Sequence, residues 1–265
     1  MPGRNVVILD GAAPGDTDLI PFLSVLSDAL KKDGTPVVTF LLGDMILAHC
    51  LGFSGCWLRT PGMCVEADAG REIARAGLIL LAFPLYVDAL PYLVTRALVI
   101  ILAHRNAVGA PAPQRFVSIV NSGFPKTHQN AVALAICREF AAQSGVGWAG
   151  GLALGRGGAI GGQPLTAEKR SGPPVVHVTK ALEMTAATLA EGMPVPAEAV
   201  RPFTKSPIPF MPLALWRWMY IRIGGRGFVK EAAKNGVSKA IMLAQPYAAR
   251  RWGEPYRPYD LGKPY

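Results

Sequence analysis

Hydrophobic residues in this chain fall in short unbroken runs separated by stretches of mixed polarity. The runs Asn5–Asp10, Pro36–Leu42, Leu78–Phe83, Arg115–Asn121 and Gly147–Leu154 lack the alternation of a half-exposed strand. They predict parallel strands covered on both faces. After the first run, Leu19, Phe22, Leu23, Leu26 and Leu30 recur at helical spacing, and Gly34 closes the segment. A strand, a loop, a helix and a second strand in that order predict a right-handed crossover. Further helices are expected over Asp68–Arg75, from Pro91 to about Ala103, over Gln129–Gln143 and over Val175–Glu191. Pro84 ends the third strand because it has no N–H to give a neighbour, and Pro91 has the fixed φ of a first helical turn.

Five strands interleaved with helices predict an α/β fold with a doubly wound parallel sheet. The flavodoxin-like order 2-1-3-4-5 suits this count better than a six-stranded arrangement. The expected organisation is a sheet domain over residues 1–192 and, over 193–265, a Pro-rich linker with a helical C-terminal extension. Within that extension Phe210–Ile223 is apolar almost all round and carries Trp216, Trp218 and Tyr220. Such a helix is expected to be buried, or set into an interface with the core or a second subunit.

Charge separates the same two regions. Residues 1–200 hold 15 Lys+Arg and 15 Asp+Glu, whereas residues 201–265 hold 12 Lys+Arg and 3 Asp+Glu, so the whole net charge of +9 sits in the last quarter. A basic tail can meet a nucleic acid, an anionic membrane surface or a phosphorylated cofactor, or it can be a solvated face. No nucleic acid is expected, and contact of the tail with a membrane surface stays open. Pro84, Asp88, Pro91, Arg96, Arg217 and Arg222 interrupt the long apolar stretches, none of which reaches the roughly 18 residues of a spanning helix. The N-terminus has no apolar core and cleavage site of a leader, so a cytoplasmic location is expected. Four cysteines in a chain of 265 residues do not make a disulfide scaffold, although Cys50, Cys56 and Cys64 cluster in a loop-like insert over residues 43–67.

In a sheet of this order the loops after strands one, three and four converge above the strand ends. Here they are residues 11–18, 84–91 and 122–128. The first is expected to hold a phosphate through backbone N–H groups and the following helix N-terminus, with Thr17 as a hydroxyl donor. Asp16 and Asp18 are unfavourable beside a dianion unless they turn away as helix caps. Tyr86 and Phe124 can stack on a flat ring, and backbone groups around Asp88 and Gly123 can bond its edge. A phosphate tail with a planar ring describes a flavin. Hydride transfer to a flavin needs no protein acid or base, so the lack of a catalytic triad is expected.

The insert reads Cys50-Leu-Gly-Phe-Ser-Gly-Cys56-Trp-Leu-Arg-Thr-Pro-Gly-Met-Cys64. With it, residues 5–160 resemble the flavodoxin-like NAD(P)H-dependent FMN reductases, a group that includes the multimeric flavodoxins and iron–sulfur flavoproteins. Pro84-Leu-Tyr-Val-Asp-Ala-Leu-Pro91 and Asn121-Ser-Gly-Phe-Pro125 look like that group's two ring loops, and residues 11–17 like its phosphate loop. The resemblance implies FMN bound by Gly11, Ala12, Asp16, Thr17, Pro84, Leu85, Tyr86, Val87, Asp88, Ser122, Gly123 and Phe124. It implies NADH or NADPH as co-substrate, a small electron acceptor such as a quinone or a flavin, and a homodimer or larger homo-oligomer.

The chain departs from the pattern in two places. Phe53 replaces the motif's middle cysteine, so neither an iron–sulfur cluster nor, at this cysteine spacing, a zinc site is expected. Ala12 replaces a serine of the phosphate loop. Cys56 as a reactive thiol and His128 as a group polarising substrate are the catalytic candidates, with structural roles as the alternatives. Arg156 in the glycine-rich loop 155–162 is a candidate cation for a nicotinamide phosphate, and His104 and Arg105 are expected to cap or pair. A fold that kept its shape, lost the cofactor and serves as a binding or scaffolding module is the competing reading.

Overall fold

The computed structural model describes residues 5–32, 34–45, 73, 75–86, 89–107, 113–124, 126–165, 175–208, 211–219, 222 and 225–239. Val6–Asp10 forms β1, Ile20–Lys32 α1, Val37–Leu41 β2, Leu78–Pro84 β3, Tyr92–Ala107 α2, Arg115–Asn121 β4, Ala131–Gln143 α3, Gly147–Leu154 β5, Val176–Ala190 α4 and Ala197–Phe203 α5. The strands pair in parallel in the order β2-β1-β3-β4-β5. This is the flavodoxin-like sheet that the apolar runs predict.

The reason lies in which face each residue takes. Val6, Ile8, Leu78, Leu80, Val117 and Ile119 enter one core with Phe22 and Leu26 of α1 and Leu182 of α4. Their strand neighbours Val7, Leu9, Ile79, Leu81, Phe116 and Val120 enter the other with Val94 of α2 and Cys137 of α3. Both faces are covered, so the central strands need no polar alternation. β2 is the edge strand, and it pairs only with β1 among the described residues. Its side chains are half-buried or exposed, including Val38 and Leu41.

The first compact unit runs to Phe210, past the 192 boundary expected from the proline run. α5 packs on α4 and on β5, and Ala199 and Phe203 are buried in the first core. The Phe203 ring meets Phe22 of α1 edge-on at 6.1 Å. Pro202 is tolerated in the last turn of this short helix. In the second unit, residues 211–265, the described part of the stretch expected to be one helix over 210–223 includes the helix Leu213–Met219, α6. A further helix, α7, spans Gly225–Lys234. The helix after β3 is longer than expected, running to Ala107. Of the helix expected over 68–75 only Ile73 and Arg75 are described, both helical. No described helix is long and apolar enough to cross a membrane.

Two arginines hold helix ends to the sheet. Arg105, in the last turn of α2, donates to the Ser144 carbonyl at 2.9 Å, to the Gly145 carbonyl at 3.2 Å and to Gln114 Oε1. Gln114 in turn donates through Nε2 to the carbonyls of Ile73 at 2.7 Å and Ala76 at 2.8 Å. Arg115 donates to the Leu189 carbonyl at 2.9 Å and the Met193 carbonyl at 3.2 Å, past the end of α4. Both cations therefore sit at the negative ends of neighbouring helices. Burial lowers both guanidinium pKa values from their ordinary range. The capping role expected of Arg105 is present, on a neighbouring helix rather than its own. The side chain of His104 lies outside the described residues.

Candidate functional site

In an open parallel sheet the ligand crevice opens beyond the strand ends where the chain reverses direction across the sheet. Here that point lies between β1 and β3, and the loops 11–18 and 84–91 leave from it. Gly11 donates to the Ala82 carbonyl of β3 at 2.7 Å. A Cβ on Gly11 would lie 2.3 Å from Val94 Cγ2 and 2.9 Å from Phe83 Cβ, so glycine is needed for the close approach of this loop to β3 and α2. Ala12 is buried in the first core. These two expected site residues thus form the floor of the loop.

The loop then turns through Pro14 and Gly15, the latter at φ +83°, closed by Asp16 N–H to the Ala13 carbonyl at 2.9 Å. A proline followed by a left-handed glycine is the chemistry such a turn requires. Asp16 Oδ1 accepts the Asp18 N–H at 2.9 Å, an Asx turn that leads into α1. Asp16 Oδ2 accepts the hydroxyl of Tyr86 at 2.6 Å, which ties the first loop to the loop after β3 across the crevice. The distance is that of a charge-assisted bond. Thr17 is exposed at the loop's end, its hydroxyl so close to Gly162 that a Cβ there would be 2.6 Å from it.

Asp10, which ends β1, was not among the residues expected at the site. It is 5% exposed, and its Oδ1 accepts the Ala12 N–H at 2.9 Å. Desolvation raises its pKa above the ordinary carboxylate value, the Ala12 hydrogen bond lowers it, and nearby Asp16 adds to the rise. Desolvation and then Asp16 raise Asp18 likewise. A folded-state pKa above the unfolded one means that the contribution to stability is complete in acid and is lost as pH rises through the folded value. Asp10→Asn keeps an acceptor for Ala12 and removes the charge. It should therefore raise Tm at pH 7, with the gain shrinking toward pH 3 in thermal melts. An equal gain at both pH values would contradict this account.

In the loop after β3, Leu85 N–H donates to the Asn121 carbonyl at 2.8 Å, and Tyr86 and Ala89 exchange backbone bonds of 3.3 and 2.9 Å. The N–H groups of Leu85 and Tyr86 are thus used within the chain, and the tyrosine side chain is what this loop presents. Tyr86 is 38% exposed. Its pKa is pushed up to about 12, first by desolvation, then by its bond to Asp16; the Ala13 N–H, which reaches the phenol oxygen, works the other way. Val87 and Asp88 lie outside the described residues.

The loop after β4 is bound to the loop after β5. Ser122 is buried, its Oγ donating to the Leu154 carbonyl at 3.4 Å. The Ser122 and Phe124 carbonyls accept the Gly157 and Arg156 N–H groups, both at 2.8 Å. Phe124 is partly buried against the second core, and Gly123 beside it is half-buried. His128 is exposed in the 3-10 turn Thr127–Asn130. Arg156 is buried, in the left-handed region at φ 58°, with its guanidinium donating to Ser206 Oγ at 3.3 Å and the Ile208 carbonyl at 3.4 Å. Those partners lie in the segment after α5.

Cys50, Cys56 and Cys64 lie outside the described residues. The remaining cysteine, Cys137, is buried in α3, and burial pushes its thiol pKa up to about 11, which makes it unreactive. Among the described residues no cluster of three His, Cys, Asp or Glu side chains is placed to hold a metal ion. A separate apolar groove of about 770 Å³ lies between α2 and α3 and begins at Ala89 and Leu90. Val99, Val132 and Ile136 line it and are exposed.

No protein-family model and no curated protein matches the sequence. Solved structures do resemble it. A putative quinone reductase from Klebsiella pneumoniae superposes with a TM-score of 0.53 at 15% identity, over 72% of this chain and 87% of that one. An NAD(P)H:quinone oxidoreductase from Methanothermobacter marburgensis gives 0.44 at 15% identity, over 71% and 94%. The rubredoxin oxygen:oxidoreductase of Desulfovibrio gigas gives 0.47 at 14% identity over 72% of this chain, which spans 36% of that protein's length. At these identities the likeness is one of fold, and the fold is flavodoxin-like.

Proposed function

We propose that this flavodoxin-like chain is a flavin-dependent oxidoreductase that takes electrons from NADH or NADPH and gives them to a small acceptor such as a quinone or a free flavin. The observation that carries the reading is the reversal of chain direction between β1 and β3, where such sheets bind ligands. Two loops flank it, and an exposed tyrosine ring is held there by Asp16. A bound flavin would supply the hydride chemistry itself. The chain's part is to seat the ring between Tyr86 and the 122–124 loop, to present backbone groups to its edge and to keep water from one face. Phe124 forms the apolar wall on the β4 side.

At the ring end, Tyr86 and Phe124 are residues of the type that stack on a flavin. The phosphate end does not fit FMN, because the loop that would hold the phosphate has an acidic side chain at its centre and internal acceptors for its Ala12, Asp16 and Asp18 N–H groups. That observation favours the second reading, a module that kept the fold and binds no flavin. An absorbance titration separates the two. Flavin should bind with a shifted visible spectrum, and NADH or NADPH should bleach the bound form. A protein that leaves the spectra of both FMN and riboflavin unchanged would be the scaffold.

The proposal includes a cytoplasmic homodimer or larger assembly and, for residues 193–265, an attachment role toward a subunit or an anionic membrane surface. A truncation after Phe210 leaves the first compact unit whole. Light scattering and vesicle flotation of both forms would show whether size or vesicle binding depends on the basic segment.

A further inference from the structure

We propose that the loop after β1 selects against a phosphate, and that the crevice takes a flavin whose tail ends in neutral hydroxyls, with Asp16 as the selecting residue. This rests on the flavin reading above.

A phosphate-binding loop works by leaving backbone N–H groups without acceptors until the anion arrives. In this loop three of those N–H groups already have acceptors. Ala12 N–H is taken by Asp10 at 2.9 Å, Asp16 N–H by the Ala13 carbonyl at 2.9 Å and Asp18 N–H by Asp16 at 2.9 Å. The Asp16 carboxylate, with one oxygen on a backbone N–H and the other on a tyrosine O–H, already does what two phosphate oxygens would do.

Charge points the same way. Residues 10–18 contain Asp10, Asp16 and Asp18 and no Lys or Arg. Asp16 raises the pKa of each of the other two, so the three carboxylates already repel one another before a ligand enters. Arg156, the cation of the neighbouring loop, is directed at Ser206 and Ile208. The basic residues of α1, Lys31 and Lys32, are in its last turn, at the far end. A dianion here would meet carboxylates at short range with no described counter-charge in the loop, whereas ribityl hydroxyls can donate to those same carboxylates.

The test is fluorescence-quench titration of the full chain with riboflavin and with FMN at low ionic strength. Riboflavin should bind at least as tightly as FMN. Asp16→Asn should raise FMN affinity at least tenfold while changing riboflavin affinity less than threefold. Tyr86→Phe, which removes the hydroxyl and keeps the ring, should leave the preference for riboflavin in place. Added salt should narrow the gap between the two ligands in the unaltered protein by screening. FMN binding more than tenfold tighter than riboflavin would overturn the selection and leave the flavin reading standing. An Asp16→Asn protein with unchanged FMN affinity would also overturn it. Failure of both flavins to bind would remove this inference together with the reading it rests on.

Discussion

Gly157→Ala should lower the stability of the protein by about 3 kcal/mol, the upper part of the range for forcing an extra carbon into a packed site. A Cβ on Gly157 would lie 1.6 Å from Asn121 Oδ1, 2.5 Å from its Cγ and 2.7 Å from its Nδ2. Asn121 cannot swing aside freely. It is 3% exposed and is the last residue of β4, paired with Pro84 on one side and Leu154 on the other. The backbone at 156–158 has to lift instead, and both bonds to the Ser122 and Phe124 carbonyls go with it. Gly158→Ala is the matched control, because nothing lies within 4 Å of its Cβ. It should stay within about 0.5 kcal/mol of the unaltered protein. Urea unfolding of the two variants reads the difference, and equal midpoints would refute the packing argument. Flavin affinity should fall in Gly157→Ala as well, since the lifted segment holds the β4 side of the crevice.

Arg105→Ala should cost about as much, roughly 3 kcal/mol, by a different route. The substitution leaves the Ser144 and Gly145 carbonyls and Gln114 Oε1 without their donor, and buried polar groups stripped of a partner cost about 1–3 kcal/mol each before water re-enters. Arg105 is buried with three acceptors on two elements, so a compact ammonium cannot replace a planar fork. Arg105→Lys should therefore recover less than half of the loss. The damage should be local to the sheet end away from the crevice, with hydrogen exchange rising at the end of α3 and the start of β4. Full recovery by lysine would mean that the charge, rather than the hydrogen-bond geometry, holds this corner.

Much of the architecture was readable from the chain. β4 and β5 begin and end at the residues where the expected strands do, even though the fully buried Ser118 interrupts the apolar run of β4. Helical spacing and the closing Gly34 placed α1, and the helices expected over 129–143 and 175–191 lie within two residues of α3 and α4. The loop positions followed from the sheet order alone. What escaped the reading depended on partners distant in sequence. Nothing local announces that Arg105 caps α3 across 39 residues or that Arg156 turns toward Ser206 across 50. α5 was hidden in a proline run, since its stability comes from Ala199 and Phe203 buried against α1, α4 and β5 rather than from helix propensity.

At the site, the sequence showed three acidic residues in or beside the first loop but not their use. Asp16 and Asp18 were legible as a conflict with a phosphate. Their resolution needed Tyr86, 70 positions away, to supply the hydroxyl. Asp10 could have been singled out by rule: a carboxylate that closes a buried parallel strand at the crevice has no solvent to soften its charge.

The two sides of the crevice are fastened very differently. The 122–124 segment is stitched to the 154–157 segment by three backbone bonds and the Ser122 hydroxyl, whereas the opposite side is joined across the opening by the tyrosine–carboxylate contact at the surface. Rupture of such a solvent-accessible contact is fast compared with disassembly of the stitched side. Association of a guest should therefore proceed by swinging a phenol ring away while the rest stays still, with a low activation enthalpy and with little change in the protein's heat capacity beyond that of the buried guest.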